Sequence, residues 1–235
     1  MASLNPHFCD RTEDSDQLFR LKAVILGDGT TGKTSLARRF SHSTYGVKYE
    51  QTIGIDFFLQ QFELSDNTHV TLHVWDIGGQ SIGGSMLQTY LQGSDIVLLV
   101  YDVTNYNTFA NIKDWLSEVK KAFGGNTKAE GYPIVALVAN KTDLDYKANI
   151  PKEKHLKFAH ENSLESCRIS AKTNDNVEYC FKWLSSLALH MTPSKYDREE
   201  WKGVVKAVLI QEPMVLDRPI VSTEGQRSSV ACSLQ

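Results

Sequence analysis

Cysteine is scarce in this sequence, and its few copies are spread along the chain. The four are Cys9, Cys167, Cys180 and Cys232, and none lies near another at the spacing of metal ligands. This pattern supports neither a framework of disulfides nor a cysteine metal site. We therefore expect the protein to work in a reducing compartment, the cytoplasm.

Long apolar runs and an excess of positive charge are also missing. No run approaches the roughly 20 apolar residues that a membrane-spanning helix needs. The first residues lack the apolar core of a signal peptide. A net charge of -3 gives no reason to expect binding to nucleic acid. Residues 1–18 are polar and acidic, and we expect them to form a flexible N-terminal extension.

The hydrophobic pattern that is present alternates between strands and helices. Apolar runs typical of buried parallel strands cover 21–26, 96–101 and 134–138, and strand-like alternation covers 57–64 and 70–75. Helical spacing is expected over about 32–40, in the set Phe109, Ile112, Trp115, Leu116 and Val119, and in the set Val177, Phe181, Leu184 and Leu187. The alternation predicts an α/β fold whose mostly parallel sheet is flanked by helices.

The pattern breaks near residue 190, so we place one domain at 19–190 and a variable tail at 191–235. Within the tail, one apolar helical face is expected from Trp201, Val204, Val205, Val208 and Leu209. The simplest interpretation is a short helix that packs back on the domain.

A phosphate-binding pattern, G-x-x-x-x-G-K-[ST], occupies residues 27–34 between an apolar run and a helical pattern. In that context the backbone N–H groups of the loop surround the α- and β-phosphates, and the helix N-terminus adds its dipole. Lys33 can reach the β- and γ-phosphates, and the Thr34 hydroxyl can bind Mg²⁺. The expected phosphate ligands here are Gly27, Asp28, Gly29, Thr30, Thr31, Gly32, Lys33, Thr34 and Ser35.

Specificity for guanine is predicted by Asn140-Lys141-Thr142-Asp143, which follows an apolar strand. The Asp143 carboxylate can accept hydrogen bonds from the ring N–H and exocyclic amine of guanine, a donor pair that adenine lacks. Asn140 can bond N7, and the Lys141 stem can lie along the base. Ser170-Ala171-Lys172 follows about 30 residues later, with the Ala171 N–H placed to meet the guanine O6.

Two further segments complete the predicted site. In Asp76-Ile77-Gly78-Gly79-Gln80, Asp76 can hold Mg²⁺ through a water, the Gly79 N–H can contact the γ-phosphate and Gln80 can orient the attacking water. Thr52, in a polar stretch after the first helix, can close on Mg²⁺ and the γ-phosphate. Tyr45 can pack edge-on against the base.

These motifs together resemble the Ras superfamily and, within it, the Rab family, over about residues 20–190. The Rab-like segments are 52–57, 74–76 and 99–105. Most Rab proteins have Ala at the position of Gly78 and Glu at that of Ser81, and most end in two cysteines. This sequence instead ends in Cys232-Ser-Leu-Gln and carries Gln-Glu-Pro-Met at 211–214, which resembles the divergent Rab subfamily numbered twenty-eight.

The resemblance implies a Ras-like P-loop G domain with a six-stranded, mostly parallel sheet. It implies a monomeric switch that binds GTP or GDP with Mg²⁺ and hydrolyses GTP slowly. Effectors, an exchange factor, a GTPase-activating protein and a prenyl-binding carrier are the implied partners. The Cys232 ending fits a prenylation motif whose last residue, Gln, favours farnesyl. The implied location is the cytosolic face of membranes concerned with vesicle transport, with endosomes or the ciliary base as the expected sites.

Two other classes of function are compatible with parts of this pattern. A different P-loop enzyme, such as an ATPase or nucleotide kinase, would share residues 27–34 but has no use for Asp143 and Ala171. A nucleotide-locked scaffold without turnover would have no use for Gln80, or for the space that Gly29 leaves beside the phosphates.

Overall fold

The sheet places the phosphate and base motifs at one edge of the molecule. The computed structural model describes residues 17–42, 51–65, 67–81, 84–125 and 131–202. Within them, six strands form one sheet in the order β2-β3-β1-β4-β5-β6, and only the β2–β3 pair is antiparallel. The strands are β1 (Gln17–Leu26), β2 (Ile55–Leu64), β3 (Thr68–Ile77), β4 (Ile96–Asp102), β5 (Ile134–Asn140) and β6 (Glu165–Arg168).

Helices cover both faces of this sheet. Those described are α1 (Lys33–His42), α2 (Ser85–Leu91), α3 (Tyr106–Ala110), α4 (Ile112–Ala122), α5 (Lys152–Glu161), α6 (Val177–Ala188) and α7 (Lys195–Trp201). A 3₁₀ helix at Thr142–Lys147 directly follows β5. None of the helices in the described ranges is long and apolar enough to cross a membrane.

The fully apolar run of β4 is explained by a core on each side of the sheet. Ile96, Leu98 and Val100 pack in the cluster that includes residues of α1 and α6. Val97 and Leu99 alternate with them and pack in the cluster that includes residues of α2, α3 and α4. A strand buried on both faces needs apolar residues at every position, so it loses the period-two pattern of a half-exposed strand.

Three elements differ from the sequence-based boundaries. β1 begins before the apolar run 21–26, because Gln17 and Leu18 continue its register beside Thr68 and His69 of β3. The helix expected around 109–119 is two helices, α3 and α4, that meet at Asn111. α1 starts at Lys33 and extends to His42, two residues past the expected end.

The described part of the tail forms one helix, α7, which ends at Trp201, the first residue of the expected helical face, and this residue lies in the core. Ser194 and Asp197 form a capping box, in which the Ser194 hydroxyl accepts from the Asp197 N–H and the Asp197 carboxylate accepts from the Ser194 N–H. Trp201 is buried in the same cluster as Phe181 of α6. The other apolar residues expected on this helix, from 204 to 209, lie outside the described residues.

A buried histidine links α5 to the sheet. His155 is fully buried, with Nδ1 3.0 Å from the Tyr101 hydroxyl and Nε2 2.8 Å from the Ser166 hydroxyl. Burial lowers the pKa of His155 from 6.5 to about 4, and the positive charge of Arg168 acts in the same direction. The imidazole is therefore neutral in the folded protein at neutral pH.

This burial predicts a pH dependence of stability. In the unfolded chain His155 binds a proton below about pH 6.5, whereas in the folded protein it binds one only below about pH 4. The free energy of unfolding should fall across that interval, by up to about 3 kcal/mol. Denaturant unfolding of His155→Gln should lack this part of the pH dependence, with the exposed His160→Gln on the same helix as control. Identical pH profiles for His155→Gln and wild type would contradict the assignment.

Candidate functional site

The predicted phosphate loop lies between β1 and α1, wedged against the end of β5. Gly32 has a φ of +90°, and a Cβ there would lie 2.4 Å from the Asn140 amide nitrogen. Both facts require glycine, because an L side chain would be strained and would collide. The Asn140 amide in turn donates to the Thr31 carbonyl at 2.9 Å. The predicted phosphate ligand Ser35 lies in the first turn of α1.

Lys33 begins α1 and turns back into the loop. Its Nζ donates to the carbonyl oxygens of Gly27 and Asp28, each at 2.7 Å. Burial lowers the Lys33 pKa to about 8, against the opposing attraction of Asp76 and Asp28. A phosphate beside this ammonium would favour its charged form, because opposite charges are strongly coupled where water is excluded.

Oxygen atoms from three separate segments meet next to this lysine. The Thr34 hydroxyl donates to the Asp76 carboxylate at 2.5 Å and lies 2.8 Å from the Thr52 hydroxyl, which is 3.4 Å from the same carboxylate oxygen. Asp76 is fully buried, and burial raises its pKa despite the Thr34 bond and the charge of Lys33. The three predicted metal residues are therefore brought together.

The donor set fits a hard divalent cation. The second carboxylate oxygen of Asp76 is buried with no hydrogen-bond partner, which is costly in a protein interior. Two hydroxyls and a carboxylate are the oxygen ligands that Mg²⁺ prefers. No cluster of three or more His, Cys, Asp or Glu side chains occurs elsewhere in the described ranges.

Asn140 holds the predicted base-binding loops together. Its side-chain oxygen accepts from the Lys141 N–H at 2.8 Å and from the Ala171 N–H at 3.1 Å. Together with its bond to Thr31, one side chain joins the phosphate loop to both guanine motifs. Arg39 of α1 adds a second connection, because its guanidinium donates to the carbonyl oxygens of Ala171 and Lys172 at 3.0 and 2.9 Å.

The predicted guanine carboxylate is oriented by its neighbours. Asp143 accepts from the Ser170 hydroxyl at 2.7 Å, and Lys172 Nζ lies 3.8 Å from its other oxygen. Lys141 adopts a left-handed backbone conformation, with a φ of 67°, and its Nζ lies 2.6 Å from the Asp102 carboxylate. This ion pair holds the ammonium end of the Lys141 side chain, whose stem is predicted to lie along the base.

The predicted segment that begins at Asp76, here named the second switch segment, touches the segment around Thr52, here named the first switch segment. The Gly78 N–H donates to the Gly54 carbonyl at 2.9 Å, and a Cβ on Gly78 would lie 2.6 Å from the Thr52 carbonyl oxygen. The glycine that departs from the usual Rab alanine therefore permits a close approach of two backbones. Gln80 is exposed, and Gly79 packs on the phosphate loop at Asp28 and Gly29.

An exposed aromatic patch lies beside these two segments. Phe57 of β2 packs edge to face against Trp75 of β3, with 4.8 Å between the ring centroids. The ring centroids of Trp75 and Tyr90 of α2 are 6.4 Å apart. Phe57 is 62% exposed, and Ile53 in the preceding segment is 91% exposed. A cluster of solvent-exposed apolar side chains is a common mark of a protein-binding surface.

Several of these positions were not found as site residues from the sequence. Arg39 and Tyr90 lie in no motif, whereas Asp102, Phe57 and Trp75 lie within the Rab-like segments, which do not show what these side chains contact. Asp102 also ends an apolar strand, which is a second signal that could have marked it. Of the predicted residues, Tyr45 and Cys232 lie outside the described residues.

Comparison with known families matches residues 22–190 to the Ras family. The chain is 40% identical over 216 residues to the Ras-related protein Rab-28 of Caenorhabditis elegans, covering 91% of this chain and 86% of that one. The chain belongs to the Ras family of small GTPases, which are GTP hydrolases. Within it, the chain is a Rab-family protein close to that relative, and the predicted family, Ras-like α/β fold and enzyme class are confirmed.

The contact at Gly78 predicts the effect of restoring an alanine. In Gly78→Ala the new methyl must push back the Thr52 carbonyl, which loosens the Thr52 contacts with Thr34 and Asp76. Amide exchange of residues 51–56, with a non-hydrolysable GTP analogue bound, should accelerate by about tenfold or more, the scale of an overpacking penalty. Ser81→Ala in the same turn adds no atoms and is the control. An unchanged exchange rate in Gly78→Ala would mean that the contact at Gly78 does not hold residues 51–56 in place.

Proposed function

We propose that this GTPase is a switch whose two nucleotide states are distinguished at the cluster of Thr34, Thr52 and Asp76. The supporting observation is that these oxygens, from α1, the first switch and the end of β3, meet beside Lys33 with one carboxylate oxygen unpartnered. Bound Mg²⁺ supplies positive charge that offsets the charge of the phosphates. Thr52 then closes on the site only when a γ-phosphate is present.

Each residue has a separate part in turnover. The loop at 27–34 and the Gly79 N–H hold the phosphates, and Lys33 neutralises charge on the β- and γ-oxygens. Gln80 orients the water that attacks the γ-phosphorus in line, and GDP leaves as the departing group. The first-switch segment, residues 43–56, contains no arginine. Intrinsic hydrolysis is therefore slow, and an activating protein supplies the missing charge.

The base is selected by Asp143, assisted by Ala171 and Asn140. Asp143 is held by Ser170, so its carboxylate is already oriented when guanine arrives. An adenine in the same place offers that carboxylate no donor pair, and an acceptor that is buried against the base without a partner is penalised more than a missing bond is. Lys141 and Tyr45 enclose the base, while Ser170 and Lys172 keep the loop in shape.

Effectors bind the aromatic patch of Phe57, Trp75 and Tyr90. The patch borders both switch segments, and the Gly78–Gly54 bond makes those segments move together. Loss of the γ-phosphate therefore alters the edges of the surface that an effector contacts. An exchange factor, acting on the same segments, opens the site for release of GDP.

The tail connects the switch to a membrane. Residues 19–190 form the nucleotide-binding domain, between an extension at 1–18, whose last two residues already belong to β1, and a variable tail at 191–235. Cys232 in Cys-Ser-Leu-Gln is the farnesylation site. One prenyl chain anchors only weakly and reversibly, so the protein cycles between cytosol and the cytosolic face of membranes with the help of a prenyl-binding carrier. Rab relatives regulate vesicle traffic, and we assign this member to endosomal or ciliary membranes.

Exchange of Asp143 for asparagine tests the base assignment. Asp143→Asn turns an acceptor toward the two donors of guanine into an amide, so GTP affinity should fall at least about a hundredfold. Xanthosine triphosphate, which presents a carbonyl there, should bind better than to wild type. Asp145→Asn, two residues on and paired with Arg168, is the control and should stay within about threefold of wild type. Equal GTP affinity for Asp143→Asn and wild type would remove the guanine assignment.

Removal of the Cys232 thiol tests the membrane assignment. Cys232→Ser should show no farnesyl mass increment and should become wholly cytosolic in fractionation and imaging. Cys9→Ser is the control, and it should keep both the increment and the endosomal or ciliary pool. Membrane recruitment of Cys232→Ser at the wild-type level would mean that another part of the chain is the anchor.

A further inference from the structure

The side chain of Asp28 in the phosphate loop is held by one helix. The Trp115 indole N–H donates to one carboxylate oxygen at 2.9 Å, and the Asn111 amide donates to the other at 2.7 Å. Trp115 belongs to α4, and Asn111 is the residue at which α4 begins. Both oxygens of a loop carboxylate are thus fixed by residues more than eighty positions away in sequence.

The backbone of Asp28 holds the inner side of the loop. Its carbonyl oxygen accepts from Lys33 Nζ at 2.7 Å and from the Thr31 hydroxyl at 2.9 Å. A displacement of Asp28 therefore moves the lysine and the threonine that face the phosphates. The side chain and the carbonyl of one residue connect α4 to the phosphate-binding groups.

The position of the indole donor is itself fixed by burial. Trp115 is fully buried among Ile112, Val119 and the α2 residues Leu87 and Leu91. The indole therefore cannot turn away from Asp28 without disrupting the core. α2 follows the second switch segment in the chain and packs against α4, so α4 contacts both this helix and, through Trp115 and Asn111, the phosphate loop.

We propose that Trp115 and Asn111 are positioning residues for nucleotide retention. By holding the Asp28 carboxylate, they keep the phosphate loop in the shape that receives the phosphates, and their loss lets the loop open and release the nucleotide. The inference rests on the nucleotide site proposed above. No residue of α4 is predicted to contact the nucleotide, so the inference gives this helix an indirect role in nucleotide binding.

Asn111→Ala is the first test, because Asn111 is exposed and its side chain makes no capping bond to α4. Loss of one hydrogen bond to a charged group should raise the dissociation rate of a fluorescent GDP by about tenfold. Trp115→Phe keeps a ring in the core but removes the N–H, and it should act in the same direction. Asn107→Ala, exposed one turn earlier in α3, is the matched control and should release GDP at the wild-type rate.

A double-mutant cycle separates positioning from general destabilisation. In an Asp28→Ala background there is no carboxylate to hold, so Asn111→Ala should no longer change GDP release. The Trp115 indole resonance in ¹⁵N–¹H spectra, identified by its absence in Trp115→Phe, should move upfield in Asp28→Asn. The resonances of the other three tryptophans should stay in place.

Two results would overturn the proposal. One is GDP release at the wild-type rate in both Asn111→Ala and Asp28→Ala. The other is an Asn111→Ala effect that persists unchanged without the Asp28 carboxylate. A wild-type protein that retains no GDP would instead refute the nucleotide site itself, so the two failures are distinguishable. If Trp115→Phe does not fold, the cycle of Asn111 and Asp28 still decides the question.

Discussion

The Asp76 carboxylate is the group on which the two switch segments depend. Asp76 is the next-to-last residue of β3, and its carboxylate accepts from Thr34 of α1 and lies within reach of Thr52. Its burial raises its pKa, and one of its oxygens is left without a partner. Such an arrangement is unfavourable for the protein alone, because both a charge and a lone pair are removed from water. A cation is the natural partner of this carboxylate, and we propose that Thr52, which shares the site, then follows the occupancy of the phosphate positions.

Lys33 is also a buried charged group of this site, but its charge is positive. Its ammonium is buried, this burial lowers its pKa, and it donates to two backbone carbonyls of the loop. A buried cation and a buried carboxylate a short distance apart form a site that is complete only with a charged ligand. Much of the binding energy for a phosphate–metal complex is therefore available without rearrangement of the loop, which is the general advantage of preorganised electrostatics.

The sequence predicted the elements with strong local signals and missed those that depend on packing. The apolar runs of β1, β4 and β5 and the loop at 27–34 are marked by pattern alone. α5 was not predicted, because only His155 and Ala159 are buried in it and its apolar period is weak. The break at Asn111 was missed, because the spacing of Phe109, Ile112 and Trp115 continues through it.

The site shows the same division. Asn140, Asp143 and Ala171 were found from their motifs, and the structure places them together around the Asn140 amide. The partners of the motif residues were not found: Arg39 beside Ala171, Asp102 beside Lys141, and Trp115 beside Asp28. Each of these contacts joins segments far apart in the chain, and their geometry follows from the register of the sheet rather than from any local spacing.

The close approach of Gly32 to Asn140 has a consequence for how this sequence can change. The amide that bonds three loops lies where a Cβ on residue 32 would have to be. A change at either position alters the space or the bonds available to the other, so their effects cannot be additive. Changing both positions together would remove the collision but not the strain of an L side chain at a φ of +90°, whereas exposed residues of α5 can be replaced one at a time. Neither Gly32 nor Asn140 is free to vary neutrally, because the two residues are in contact although 108 positions separate them in the chain.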